Sequence, residues 1–249
     1  VQDLNKEDNP LIPLSGGLAV AAGFFAGLLL FIFIRTFFPV TNGLILDDYN
    51  LKYIFASMLS ILIITFVGFI DDLVIKRTKE SSAGLKQWQK PLLTLSAAIP
   101  LIAIMAGETT MSLPLIGRVN IGILYPLILI PIGVVGAANM VNLLAGLNGL
   151  ETGMGIVYTG MLGLYAYLNG KDVAALIALM TFSALLGFFY YNKYPAKILP
   201  GDSLTYFLGG TLVVLAIVGN MERAALIVSI PFFIEFLLKL RSKFKANSY

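Results

Sequence analysis

Histidine and cysteine are both absent from this 249-residue chain, and each absence removes a class of chemistry. Without cysteine there is no disulfide framework and no thiolate nucleophile. Without histidine there is no Ser-His-Asp triad, no Cys-His pair and no Cys/His zinc site. Catalysis by these residues must draw on carboxylates, amides, lysines and hydroxyls. Charge is scarce too, at 12% of residues, and tryptophan occurs once. Neither G-x-x-x-x-G-K-[ST] nor G-x-G-x-x-G occurs, so neither a P-loop nor a Rossmann site is supported. The chain opens on Val1 and a polar stretch instead of Met and a basic n-region. That argues against a signal peptide and for missing N-terminal sequence.

What is abundant is apolar. Hydrophobic residues make up 58% of the chain and mean hydropathy is +0.87, beyond the range of an average soluble domain. A helix needs about 20 mainly apolar residues to cross the hydrocarbon core. Eight stretches answer that description, roughly 15–38, 51–70, 91–106, 121–138, 150–169, 173–190, 203–219 and 224–240. The fold class expected is an all-α polytopic membrane protein, a single domain over residues 1–249. "TTMSLPLIGRVN", residues 109–120, alternates and contains Pro and Gly, which suits a small extracytoplasmic (periplasmic) hairpin better than a span.

Alternating the loops across the membrane puts twelve of the 17 Lys and Arg residues on one side. Arg35, Lys52, Arg118, Lys171 and Arg223 fall on the other. The richer side is cytoplasmic by the positive-inside rule, and the basic tail of Lys239, Arg241, Lys243 and Lys245 is assigned to orientation. Trp88, Tyr190, Tyr191 and Tyr194 fall where an interfacial aromatic belt belongs. Glu235, inside an apolar run, must line a polar cavity or meet an internal partner.

The unusual polar groups gather on that same side. "FVGFIDDLVIKRTKESSAGLKQWQK" ends a span in Asp71 and Asp72, followed by Lys76, Arg77, Lys79, Lys86 and Lys90. Asn139, Asn142 and Asn148 lie in "NMVNLLAGLNGLETG", and Asp202 precedes the seventh span. Asn139 and Asn142 share a face if their segment is helical. Taken singly, Asp202 reads equally as a helix N-cap. The Asp pair sits at a helix C-terminus, where the macrodipole disfavours negative charge. Convergent carboxylates, amides and lysines at a membrane mouth suit a hard cation with a phosphorylated ligand. A secondary transporter is the rival, but it would hold its coupling residues near the bilayer midplane and often in repeated halves. A membrane scaffold would need no such one-sided polar set.

These residues resemble the polyprenyl-phosphate N-acetylhexosamine-1-phosphate transferases, the glycosyltransferase family 4 type. The likeness runs from "DLNK" and "IPLSGG" through "GFIDD", "WQKPLLTLSAAIPL" and "NMVNLLAGLNGLETG" to "PGDSLTYFLGG". "NLLAGLNGLE" looks like the archaeal and eukaryotic dolichyl-phosphate GlcNAc-1-phosphate transferases; bacterial relatives usually carry aspartates where this chain has Ala145 and Asn148. The resemblance implies Asp71, Asp72 and Lys90 as catalytic residues, and Asn142 with Asp202 as Mg²⁺ ligands (Mn²⁺ the alternative). It implies Asn139, Asn148, Glu151 and Lys86 as substrate contacts, Asn148 at the uridine; Lys86 also competes with Lys90 for the phosphate-binding role. Leu14 departs from the family, where many relatives carry an acid. The family fold has about ten spans, so the resemblance implies a chain lacking the first helix and the final loop plus helix.

The reaction implied joins UDP-GlcNAc and a polyprenyl or dolichyl phosphate to give polyprenyl-diphospho-GlcNAc and UMP. Its partners are the two substrates and membrane lipid, with no nucleic acid; a homodimer is compatible. Another UDP-amino sugar, serving cell-wall or surface polysaccharide, would use the same chemistry. Direct attack by the acceptor phosphate is preferred to a two-step displacement, because a phosphate monoester is largely dianionic at neutral pH. The implied location is an integral cell or ER-type membrane, with the site on the cytoplasmic face.

Overall fold

The computed structural model describes residues 1–3, 5–7, 10–38, 48–74, 84–107, 109–113 and 117–242. Lys76, Arg77, Lys79, Lys243 and Lys245 lie outside them. The chain is helical almost throughout: α1 (Gly17–Phe37), α2 (Asp48–Val74), α3 (Gln89–Leu95), α4 (Ile99–Ala103), α5 (Ile130–Leu143), α6 (Leu150–Leu168), α7 (Asp172–Asn192), α8 (Gly201–Val218), α9 (Glu222–Val228) and α10 (Ile230–Arg241). Each of the eight expected stretches is met by helix. Among the described residues, five are long and apolar enough to cross a membrane: Gly17–Phe37, Asn50–Val74, Tyr125–Leu143, Asp172–Asn192 and Gly201–Val218. The protein is a polytopic membrane protein.

Three expected spans are not uniform α-helix, and proline accounts for each departure. The third breaks into α3, one 3₁₀ turn (Ser96–Ala98) and α4. Pro100 has no N–H for the Ser96 carbonyl, so the chain tightens there. The fourth opens with a π-helical turn, Tyr125–Leu129, carrying Pro126 and followed by Pro131 in α5. The eighth is interrupted at Ser229, between α9 and α10 and just before Pro231.

α8 is the central rod. Every residue from Ser203 to Ile217 is buried, as befits a helix that is apolar all round. Helices α1, α2, α5 and α7 pack around it. At the α2–α8 crossing Gly68 permits backbone contact, because a Cβ there would stand 2.4 Å from the Asp202 carbonyl oxygen. Small residues at such crossings replace the hydrophobic drive that lipid cannot supply. The outer faces leave Leu30, Phe33, Phe55, Leu62, Ile132 and Met161 more than half exposed or close to it, a lipid-facing belt that water would not tolerate.

The hairpin expected at 109–120 is present as two short antiparallel strands, β1 (Thr110–Leu113) and β2 (Gly117–Asn120). β1 lies against α9. At the same end of the bundle, the Tyr125 hydroxyl donates to Glu222 Oε1 at 2.7 Å. The ends of α2 and α5 that carry the sequence-predicted polar residues gather at the opposite end, with the end of α7 and the starts of α3, α6 and α8.

Candidate active site

Asp71 and Asp72 occupy the last turn of α2 and diverge. Asp71 is fully buried, accepts from the Leu85 amide at 2.6 Å through Oδ1, and is ion-paired to Lys90 through Oδ2. Lys90 also reaches Asp202 Oδ2 at 3.3 Å. One ammonium from the start of α3 therefore joins carboxylates from two other helices. Lys86 is exposed; its backbone amide is held by Gln89 at 3.0 Å, and among the described residues no bond from its ammonium to a carboxylate is seen. Of the two lysines that the sequence left open, Lys90 is the one at the acidic centre.

Asp72 faces the start of α8. Its Oδ1 accepts from the Asp202 amide at 2.7 Å and its Oδ2 from the Ser203 amide at 3.1 Å. Those amides are among the donors that a helix start leaves unpaired, so Asp72 caps α8 from another helix. Proximity to the positive end of the α8 dipole also offsets the unfavourable position of the pair at the C-terminal end of α2. Gly201 makes room: its φ is +73°, and a Cβ would lie 2.5 Å from Asp72 Oδ2.

Asn142 joins this centre through Thr205, whose hydroxyl donates to Asn142 Oδ1 at 2.9 Å and lies 3.1 Å from the Asp202 carbonyl. Asn139 shares the helix but turns its carboxamide back onto the Val135 carbonyl at 2.7 Å. Tyr206, one turn beyond Asp202, is fully buried, and its hydroxyl has no hydrogen-bond partner among the described residues. Sequence reasoning missed Thr205 and Tyr206, although their spacing of three and four from Asp202 puts them on the same helical face.

A second polar cluster adjoins the first. Glu151, buried in the first turn of α6, accepts from the Gly146 amide at 2.7 Å. Asn148 donates through Nδ2 to Asp3 Oδ2 at 3.0 Å. Asp3, Asn5 and Lys6 had entered only through the "DLNK" resemblance. Lys6 pairs with Asp3 at 3.1 Å and donates to the Ala196 carbonyl, tying this segment to the loop before α8. Burial would raise the Asp3 carboxyl, yet the bonds from Asn148, Asn5 and Lys6 outweigh it and hold the group below its ordinary value.

The donor set suits a divalent cation. Asp71, Asp72 and Asp202 set three carboxylates against one local ammonium, and the oxygens of Asp202 and Asn142 are hard ligands. Asp202 retains 24% side-chain exposure against none for Asp71, so Asp202 is the carboxylate open to a ligand. No group of three or more His, Cys, Asp or Glu side chains surrounds one point among the described residues. A cation held by one carboxylate and one amide would complete its shell with water and phosphate oxygens, which is the habit of Mg²⁺.

The glycosyl transferase family 4 description matches residues 54–220, two thirds of the chain. The chain belongs to glycosyl transferase family 4. A relative in Saccharolobus solfataricus is 38% identical over 254 residues, spanning all of this chain and 71% of its own length. It carries the provisional name UDP-N-acetylglucosamine–dolichyl-phosphate N-acetylglucosaminephosphotransferase. A protein of Sulfolobus acidocaldarius with the same provisional name is 34% identical over 250 residues, with the same coverage. The phospho-N-acetylmuramoyl-pentapeptide-transferase of Lactiplantibacillus plantarum is 37% identical over 172 residues, 68% of this chain and 53% of that protein. The matched family region contains Asp71, Asp72, Lys90, Asn142, Asn148 and Asp202.

Elsewhere the expectations divide. Trp88, Tyr190 and Tyr194 are more than 60% exposed, as interfacial aromatics should be. Glu235 meets Lys239 at 3.6 Å, and Lys239 also donates to the Leu143 carbonyl at the end of α5. Lys239, assigned from sequence to orientation alone, has a packing partner.

Proposed function

We propose that this family 4 protein transfers N-acetylglucosamine 1-phosphate from UDP-N-acetylglucosamine to a polyprenyl phosphate of dolichyl type. The observation that carries the reading is the Asp71–Lys90–Asp202 ion cluster at one end of an apolar bundle. A lipid-borne phosphate and a soluble nucleotide meet at such a place. The two archaeal relatives, similar over the whole chain, supply the substrate pair by name. The pentapeptide-loading alternative draws on a relative matched over a shorter stretch. A transporter would bury its charges at mid-membrane rather than at helix ends.

In this reading the acceptor phosphate oxygen attacks the phosphorus next to the sugar. The bond to the nucleotide phosphate breaks, and UMP leaves with its electron pair. Both substrates are anions, so charge and position are the obstacles. Lys90, 20% exposed, offsets the phosphate charge and is ion-paired to Asp71 beside the acceptor. Asp72 keeps the start of α8, and thus Asp202, in place. Asn142 and Asp202 would hold Mg²⁺, which when bound neutralises the pyrophosphate and stabilises the leaving group. Asn148 faces the uridine, with Glu151 and Asn139 supporting the donor side. All eight helical stretches cross the membrane, the strand pair lies outside the cell or in the lumen, and the ion cluster faces the cytoplasm. The lysine and arginine bias supports that orientation.

The test supplies dolichyl phosphate and radiolabelled UDP-N-acetylglucosamine to the detergent-solubilised protein with and without Mg²⁺, beside Asp202→Ala. Metal-dependent label in the organic extract, lost in the variant, is expected. Folded protein that transfers no label from any UDP-amino sugar would overturn the reading.

A further inference from the structure

Lys193 and Lys197, in the loop between α7 and α8, both stand over the ring of Tyr190, at 5.6 and 5.7 Å from its centre. That is within the reach of a cation–π contact, which gives each long side chain a preferred place. Both lysines are exposed, and among the described residues neither ammonium is matched by a carboxylate. Orientation in the membrane calls for positive charge in this loop, but not for its assembly on one aromatic ring. The loop itself is fixed from beneath. Asn192, fully buried, accepts from the Thr152 hydroxyl at 2.7 Å and donates to the Ile198 carbonyl at 3.0 Å. The Lys197 amide donates to the Tyr191 carbonyl at 2.8 Å.

The Tyr190 ring meets that of Tyr191 edge-on, with 5.2 Å between centroids. Tyr191 in turn walls an apolar groove of about 320 Å³ between α1 and α7, which Ala19, Gly23, Ala184, Gly187 and Ile198 also line. Small side chains are what open it. A Cβ on Gly23 would stand 3.5 Å from the Ala184 Cβ, in ordinary contact, whereas a Cβ on Gly187 would meet nothing within 4 Å. Gly187 is exposed, so the groove opens outward, where the surrounding solvent is hydrocarbon.

An apolar groove that ends on two unmatched lysines has the layout of an amphiphile with a negative head. We propose that this face binds an anionic membrane phospholipid, with one acyl chain in the α1–α7 groove and the headgroup phosphate at Lys193 and Lys197. Basic pockets beside membrane helices recognise such headgroups, and each lysine near the surface adds to the attraction. The occupant differs from the polyprenyl acceptor. Lys90 stands at the start of α3, which packs chiefly on α2 and α5, whereas the groove lies between α1 and α7. A phospholipid held there braces the loop that leads directly into Gly201 and Asp202.

The experiment measures retention of radiolabelled phosphatidylglycerol and phosphatidylcholine, with identical acyl chains, by the delipidated protein in detergent. The unmodified chain is compared with Lys193→Gln/Lys197→Gln and with Gly187→Leu. The unmodified chain is expected to hold phosphatidylglycerol about tenfold or more tightly than phosphatidylcholine. The double variant should erase that preference and leave phosphatidylcholine binding as it was. Gly187→Leu, whose Cβ enters open space, should weaken both lipids by about tenfold. All three positions are exposed, so melting temperatures should stay close to that of the unmodified chain. Equal retention of the two lipids by the unmodified chain, or a preference that survives loss of both lysines, would overturn the inference. So would displacement of the label by dolichyl phosphate that Lys90→Ala abolishes, which assigns the lipid to the acceptor's site. A dimer that retains no lipid and that Gly187→Leu dissociates would assign the face to a second copy of the chain, and overturn the inference as well.

Discussion

Lys90 and Asp202 stand 3.3 Å apart although 112 residues separate them, and the same ammonium is ion-paired to Asp71. Removing Lys90 leaves two carboxylates facing each other with no cation between them. Loss of one partner of a buried charge pair costs about 3–5 kcal/mol. Lys90→Ala is expected to lower lipid labelling by at least about a hundredfold. Lys90→Arg should recover part of it, and Lys86→Ala should stay within about threefold of the unmodified chain, since surface changes are nearly neutral. Initial rates of label transfer, compared at equal folded protein, decide among these.

Gly201 and Asp72 make a second, purely structural prediction. Gly201→Ala puts a Cβ at φ +73° and within 2.5 Å of the capping carboxylate. The left-handed conformation costs about 1–2 kcal/mol and loss of a cap about another 1–2. The melting temperature in detergent should drop by several degrees. An unchanged melting temperature would show that the α8 cap does not need Asp72.

Chelation addresses the metal proposal without mutation. EDTA should abolish labelling and Mg²⁺ should restore it. In Asn142→Ala, where one proposed ligand is gone, restoration should demand more Mg²⁺. Labelling indifferent to EDTA would remove the cation from the scheme.

The Asp3 carboxyl predicts a pH signature. Its folded value lies below the ordinary value of 3.8, so the stability it contributes is complete above about pH 5. That contribution is lost as pH falls below 3.8 through the folded value. The difference in melting temperature between the unmodified chain and Asp3→Asn should therefore be widest near neutrality and close on acidification. A gap that widens toward acid would contradict the depressed carboxyl.

Much of the helical layout was legible because membrane helices must satisfy their own backbone hydrogen bonds, which makes apolar length a strong signal. The interruptions at Ser96–Ala98, Tyr125–Leu129 and Ser229 each adjoin a proline. Proline marks a weak point, but packing decides whether the turn tightens, widens or breaks. The candidate site was legible at Asp71, Asp72 and Asp202, since charge beside lipid is costly enough to ask for a reason. Thr205, Tyr206 and Asp3 were not singled out by the residues themselves. A hydroxyl on an apolar helix and an acid in a polar segment carry no cost that composition exposes.

By itself the sequence determined that this is a helical membrane protein, with its acidic and amide residues collected toward one side. Those properties follow from hydropathy, which is local along the chain and survives without knowledge of contacts. Only the tertiary structure decided how the collected residues divide. It turned Asp71 to Lys90 and Asp72 to the start of α8, and brought Asn148 against Asp3. Adjacent residues on a helix point about 100° apart, so which neighbour each one meets depends on how the chain returns: the partner of Asp72 lies 130 residues away and that of Asn148 145.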